Sequence, residues 1–141
     1  MEKQPIRVVI VDDHQMVRET WKMILQTDNR IEVIGECASG AEAINMAHEL
    51  KPHVMLMDIN MAPVNGFEAT RKISRSCPDV RIIGVSVNNQ PGYARNMMQL
   101  GARGYVTKNS PREEMIRAIL EVTEGRTFIC QEVREKMTGR E

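Results

Sequence analysis

The stretch "VMLMDINMAPVNG", residues 54–66, joins a short apolar run to a polar loop. Four apolar residues lead directly into Asp58, and Asn60, Pro63 and Gly66 follow. A short continuous apolar run bounded by turn residues predicts a strand buried on both faces, as in a parallel sheet. The stretch therefore predicts a central strand that carries a single carboxylate at its carboxyl end.

Five runs of this kind alternate with five helical patterns. Strands are predicted at 6–12, 31–37, 54–58, 81–87 and 104–107, and helices at 14–27, 39–50, 66–76, 91–100 and 110–125. Ser39 and Ser110 open two of the helical patterns and are the predicted N-caps. This alternation predicts an α/β fold, an open doubly wound (βα)₅ unit around a central five-stranded parallel sheet.

The composition fits one domain and argues against several classes of protein. The 141 residues include 19 Lys and Arg and 19 Asp and Glu, so the formal net charge is zero. A dedicated nucleic-acid binder usually carries a basic excess. Three widely spaced cysteines predict free thiols in a reducing compartment. No apolar run approaches membrane-spanning length, and we expect a cytoplasmic protein without a membrane partner.

Polar residues follow four of the predicted strands. Asp12 and Asp13 end the first, Asp58 ends the third, Ser86 lies near the end of the fourth, and Lys108 follows the fifth. In a doubly wound sheet, ligands bind beyond the carboxyl ends of the strands. We therefore expect these side chains to form one site.

The charges of this site call for a cation. Three ionised carboxylates repel one another, and Lys108 offsets only one of them. Oxygen ligands without histidine or cysteine favour Mg²⁺, and a metal and an ammonium together favour a phosphoryl group. A carboxylate can itself be the nucleophile, which gives an aspartyl phosphate.

Four segments carry a family resemblance: "VVIVDDH", "LMDINM", "IIGVS" and "GARGYVTK". Over residues 6–125, the chain resembles the receiver domain of two-component response regulators. The resemblance implies a flavodoxin-like fold with strand order 2-1-3-4-5. The chain is most similar to the NarL/FixJ subfamily in the segments "DDHQMVRE", "GFEATRKI" and "EGRTFICQEV". Members of this subfamily usually carry a C-terminal LuxR-type helix-turn-helix.

The resemblance also implies a role for each site residue. Asp58 would accept the phosphoryl group from a histidine kinase. Mg²⁺ would be held by Asp12, Asp13, Asp58 and the backbone carbonyl of Asn60, and Lys108 would contact the phosphoryl group.

Two further residues are implied as a switch. Ser86 would move toward the phosphoryl group and donate its hydroxyl, and Tyr105 would turn inward into the space that Ser86 leaves. The altered surface would be read by a partner or by a second copy of the chain after phosphorylation.

Two positions depart from the usual receiver pattern. Ala62 stands where proline is common, with Pro63 after it, which predicts an altered loop shape without loss of chemistry. Val87 replaces a small residue, and we hypothesise that it narrows access to Asp58. Asn60 and Asn88 flank the expected water path and are candidates for tuning phosphate lifetime, with plain solvated loop residues as the alternative.

Residues 1–127 are predicted to form the receiver, and residues 128–141 a linker or short extra helix without an output domain. We expect slow self-phosphorylation from small donors and self-dephosphorylation, but no enzyme. Transcriptional control would need a DNA-binding domain outside this chain, and the chain alone is not expected to bind DNA. The alternatives are a single-domain regulator that acts through protein contacts, a phosphate-independent interaction domain and a small Mg²⁺-dependent phosphohydrolase. Asn60 argues against the last, because such enzymes need a second acid there.

Overall fold

The computed structural model describes residues 4–138. The described residues form six strands and six helices that alternate along the chain. In order, these are β1 (Ile6–Val11), α1 (Gln15–Leu25), β2 (Ile31–Cys37), α2 (Gly40–Leu50), β3 (Val54–Asp58), α3 (Gly66–Ser76), β4 (Arg81–Ser86), α4 (Pro91–Gln99), β5 (Gly104–Thr107), α5 (Arg112–Thr123), β6 (Phe128–Ile129) and α6 (Gln131–Thr138). No helix among them combines the length and apolar character needed to cross a membrane.

The strands form one parallel sheet in the order β2-β1-β3-β4-β5-β6. The predicted α/β doubly wound fold and the order 2-1-3-4-5 are confirmed. The expectation of five strands was incomplete, because β6 adds a sixth at the edge. Phe128 and Ile129 pair with Gly104 and Tyr105. Two residues are too few to show a periodic pattern, so this strand could not be read from the sequence.

The core lies on both faces of the central strands. Every residue of β3 is buried, including Asp58 at its end. Trp21 and Leu25 turn one side of α1 into the core, whereas Met16 and Met23 on its other side are exposed. A central strand buried on both faces has little freedom to shift, so it holds its terminal carboxylate in a fixed position.

Of the two predicted N-caps, one is confirmed and the other is wrong. Ser39 is the N-cap of α2, and its hydroxyl accepts a hydrogen bond from the amide of Glu42 at 3.1 Å. Ser110 is not an N-cap, because α5 begins at Arg112 with Pro111 in the cap position. The Ser110 hydroxyl instead accepts a hydrogen bond from the amide of Thr107 at 3.2 Å, which closes the turn after β5.

The segment after α5 turns back along the sheet. Gly125 has a φ of 88°, a left-handed conformation that glycine adopts without strain. The Cys130 amide donates to the carbonyl of Tyr105 at 3.0 Å, and Val133 is fully buried. The segment predicted as a linker or short helix thus contributes β6 and α6, up to residue 138, and α6 packs against α4 and β5.

Candidate functional site

Four strand ends bring the predicted polar residues to one edge of the sheet. We call Asp12, Asp13, Asp58, Ser86 and Lys108 the carboxyl-end cluster. Asp12, Asp58 and Ser86 are buried, while Asp13 is exposed. Buried polar side chains are rare unless they are paired or functional, so this concentration at one end marks a candidate site.

Lys108 is the cation of the carboxyl-end cluster. Its Nζ lies 2.8 Å from Oδ2 of Asp12 and 3.7 Å from Oδ1 of Asp58. The Lys108 amide donates to the carbonyl of Ser86 at 2.8 Å, which continues the pairing of β4 with β5. The sheet itself therefore positions the ammonium between two carboxylates that come from different strands.

The surroundings of Asp58 disfavour its ionised form. Burial is the main cause that raises its pKa from 3.8 to about 6, and the negative charge of Asp12 adds to it. Lys108 and the amide of Asn60, which donates to Oδ1 at 3.2 Å, act in the opposite direction. A single ammonium does not neutralise the cluster, so a divalent cation would relieve the repulsion.

The donor set fits such a cation. Ligand atoms of Asp12, Asp13, His14 and Asp58 all lie within 4.8 Å of one another, a spread that the coordination shell of one ion can span. Carboxylate oxygens are the ligands that Mg²⁺ prefers. The backbone carbonyl of Asn60 remains a predicted further source of ligand atoms.

His14 joins this group although the sequence did not single it out as a site residue. Its Nδ1 lies 3.0 Å from Oδ1 of Asp12 and 2.9 Å from Oδ1 of Asp13. Its amide donates to Oδ1 of Asp12 at 2.9 Å, and the residue also precedes the first turn of α1. The available signal was its position directly after the acidic pair.

Ser86 and Tyr105 meet through Asn88. The Ser86 hydroxyl accepts a hydrogen bond from the Asn88 amide at 3.0 Å and lies 3.5 Å from Nδ2 of Asn60. The Tyr105 hydroxyl donates to the Asn88 carbonyl at 2.8 Å. Tyr105 is fully buried, and this burial raises its pKa to about 12. The two residues implied as a switch are thus linked by one loop residue, with Tyr105 in the inward position.

The loop after Asp58 packs closely against Gly66. A Cβ at Gly66 would lie 2.3 Å from the carbonyl oxygen of Asp58, which is closer than any side chain allows. The buried side chains of Ile59 and Met61 anchor the same loop. The peptide bond between Ala62 and Pro63 is cis. Val87, the candidate for narrowing access to Asp58, has 70% of its surface exposed.

Comparison with known proteins assigns this fold and cluster to a family. Residues 8–120 match the family model described as "Response regulator receiver domain". The chain belongs to the response regulator receiver domain family. The resemblance inferred from its motifs is confirmed, and this family acts in signalling.

Relatives of this receiver carry the same assignment. It is 39% identical over 132 residues to the response regulator GacA of Pseudomonas protegens, covering 94% of this chain and 62% of GacA. A LuxR-family response regulator from Aurantimonas sp. superposes with a TM-score of 0.91 at 29% identity, over 95% of this chain and 96% of that one.

The RcsB response regulator of Salmonella typhimurium, solved in a study of its DNA interaction, superposes with a TM-score of 0.86 at 25% identity, over 96% of this chain and 66% of RcsB. These similarities confirm the NarL/FixJ-type subfamily. The chain spans about three fifths of the length of the curated relatives it matches.

Proposed function

We propose that this receiver accepts a phosphoryl group on Asp58 from a phosphohistidine of a histidine kinase. The observation that carries the proposal is the position of Asp58. A buried central strand ends in this carboxylate, and the Lys108 ammonium lies 3.7 Å away, bonded to Asp12. A fixed nucleophile beside a fixed positive charge is suited to phosphoryl transfer.

The transfer exchanges one bond to phosphorus for another. A carboxylate oxygen of Asp58 attacks the phosphorus of phosphohistidine, the N–P bond breaks, and the imidazole leaves with the electron pair and takes up a proton from solvent. Lys108 offsets the charge on the transferring oxygens. Asp12, Asp13 and Asp58 would hold Mg²⁺, which supplies further positive charge when bound. Slow hydrolysis of the acyl phosphate returns Asp58 to its carboxylate.

Phosphorylation then favours one arrangement of the loop after β4. The Ser86 hydroxyl turns toward the new phosphoryl oxygens, and the space that it leaves favours the inward position of Tyr105, in which the Tyr105 hydroxyl donates to the Asn88 carbonyl. Asn60, Val87 and Asn88 surround the path of the attacking water and tune the lifetime of the phosphoryl group. The changed surface promotes contact with a second copy or another partner.

The output of this signal is proposed to be transcriptional. The subfamily includes a LuxR-family regulator and RcsB, whose structure was solved for its DNA interaction. This chain has no net positive charge, which argues against DNA binding by the receiver itself. DNA contact would therefore come from a domain outside this chain. The whole signalling step is proposed to take place in the cytoplasm. A single-domain regulator that works through protein contacts is the alternative.

Intact-mass measurement after treatment with acetyl phosphate and Mg²⁺ tests the proposal. We expect the wild type to gain the mass of one phosphoryl group and Asp58→Asn to gain none. Asp79→Asn, a change at an exposed carboxylate before β4, serves as the matched control and should label like the wild type. An unlabelled wild type, under conditions that label another receiver, would favour a phosphate-independent interaction domain.

A further inference from the structure

Glu132, in the first turn of α6, bonds to two separate parts of the sheet edge. Its Oε1 accepts a hydrogen bond from Oγ1 of Thr107 at 2.8 Å, and its Oε2 accepts one from Nδ2 of Asn89 at 2.6 Å. Thr107 ends β5, and Asn89 lies in the loop between β4 and α4. One carboxylate therefore ties the last helix to both of these positions.

The two partners of Glu132 lie one and three positions from the proposed phosphoryl-binding residues Lys108 and Ser86. Thr107 is fully buried and directly precedes Lys108. Asn89 directly follows Asn88, whose amide donates to Ser86 and whose carbonyl accepts from Tyr105. A displacement of Glu132 would therefore move Thr107 and Asn89, which are bonded through the backbone to Lys108 and Asn88.

The rest of α6 gives Glu132 a rigid support. Val133 beside it is fully buried, and the Cys130 amide is bonded to the carbonyl of Tyr105 at 3.0 Å. The hydrogen bonds from Asn89 and then Thr107 are the main causes that lower the pKa of Glu132, so they favour its ionised form. Hydrogen bonds to an ionised acceptor are stronger than neutral ones.

We propose that Glu132 is a positioning residue that couples the docking of α6 to occupancy of the phosphoryl site. Its bonds hold the Asn88–Asn89 loop where the Tyr105 hydroxyl is bonded inward, the arrangement that phosphorylation of Asp58 favours. Coupling of this kind is reciprocal, so an occupied site strengthens the docking of α6, and a docked α6 strengthens binding at the site. The inference rests on the proposed phosphoacceptor function.

Binding of beryllofluoride with Mg²⁺, titrated by calorimetry, measures one direction of the coupling. We expect Glu132→Ala to weaken the binding at least about fivefold, the lower range of such couplings. Glu132→Gln keeps the shape and one acceptor oxygen, so its affinity should be intermediate. Glu135→Gln is the matched control, since Glu135 lies on the same helix and its carboxylate accepts a hydrogen bond from the exposed Gln131 side chain and, among the described residues, from no other side chain. It should bind like the wild type.

Hydrogen exchange of residues 131–138 measures the other direction. Beryllofluoride should slow exchange there in the wild type and in Glu135→Gln, but not in Glu132→Ala. A merely structural role of Glu132 would speed exchange equally with and without beryllofluoride.

The possible outcomes separate the two proposals. If the wild type binds no beryllofluoride, the proposed phosphoacceptor function fails. If the wild type binds it and both Glu132 variants bind equally well or more tightly, the function stands and the coupling is overturned. Glu132→Gln retains the volume of the side chain, so it keeps the test valid even if Glu132→Ala does not fold.

Discussion

Two aspartates at opposite ends of the sheet show how differently the same side chain can be placed. Asp28 precedes β2 at the amino end, where the Arg30 side chain hydrogen-bonds to it and lowers its pKa to about 2. Asp58 ends β3 at the carboxyl end, where burial and Asp12 raise its pKa to about 6. The Asp28 carboxylate is stabilised by hydrogen bonds from Arg30, two positions along the chain. The Asp58 carboxylate is held near a second negative charge, that of Asp12.

The backbone groups at the two ends repeat this contrast. At the amino end, the Arg7 guanidinium donates to the carbonyls of Leu50 and Lys51, and the Arg7 amide donates to Nδ1 of His53 at 2.9 Å. These contacts pair the Arg7 amide and the last carbonyls of α2 within the chain itself. At the carboxyl end, burial and the negative charge of Asp12 instead disfavour the ionised form of Asp58.

The largest effect is expected at the glycine beneath the carboxyl-end cluster. Gly66→Ala should lower the free energy of unfolding by about 3 kcal/mol or more, because its Cβ would meet the backbone of Asp58. Urea denaturation measures the loss. Gly92→Ala in α4 is the matched control, since nothing lies within 4 Å of its Cβ, and it should be neutral or slightly stabilising. Equal stabilities would show that the loop is not tightly fitted.

Exchanging the two aspartates for asparagine should shift stability in opposite directions. In chelator at pH 7.5, Asp58→Asn should raise the free energy of unfolding by about 2 kcal/mol, because it removes a carboxylate whose ionised form is disfavoured by burial and by Asp12. Asp28→Asn should lower it by less than about 1 kcal/mol, since the Arg30 side chain of this pair is 59% exposed and exposed ion pairs contribute little.

The pH dependence checks the sign of this second prediction. The pKa of Asp58 is raised in the folded state, so its destabilising effect should grow as pH rises from about 4 to about 6 and stay constant above. The pKa of Asp28 is lowered, so its contribution should be lost as pH falls from about 4 to about 2. A stability gain of Asp58→Asn that is unchanged at pH 3.5 would contradict the electrostatic cause.

Replacing one cation at each end should separate chemistry from stability. Lys108→Ala should slow labelling by acetyl phosphate at least about tenfold, equivalent to about 1.4 kcal/mol of transition-state stabilisation. Arg7→Met should leave the labelling rate unchanged while lowering the free energy of unfolding by about 1 kcal/mol. Mass spectrometry over time and urea denaturation give both quantities. Slow labelling of Arg7→Met would mean that the two ends are not independent.

The smallest effect is expected for the carboxylate of α6. The pKa of Glu132 is lowered by Asn89 and Thr107, so its contribution is present above its ordinary value of 4.5 and is lost as pH falls through the lowered pKa. Hydrogen exchange of residues 131–138, corrected for its intrinsic pH dependence, should therefore show reduced protection as the pH falls below 4.5. The change should be under about 1 kcal/mol and absent in Glu132→Gln.

Much of the site was readable in the sequence because strand ends in a parallel sheet share one edge. Asp12, Asp58, Ser86 and Lys108 could be brought together by counting strands alone, since β1, β3, β4 and β5 all run in the same direction. His14 was not recognised because its side-chain direction depends on how α1 starts. The role of Ser110 was mistaken because α5 begins two residues later, at Arg112, and the Ser110 hydroxyl accepts from the Thr107 amide behind it.

The sequence by itself determined the layered fold and the edge at which chemistry is expected, because apolar periodicity and chain direction are local properties. The strand order was implied by the resemblance to the receiver family. Only the tertiary structure decided the electrostatic state of Asp58, which depends on the distances to Asp12 and Lys108. It also decided that Tyr105 lies inward and that Glu132 bonds to Asn89 and Thr107. Those contacts join residues that are 17 to 43 positions apart, and only the folded backbone brings such residues within hydrogen-bonding distance.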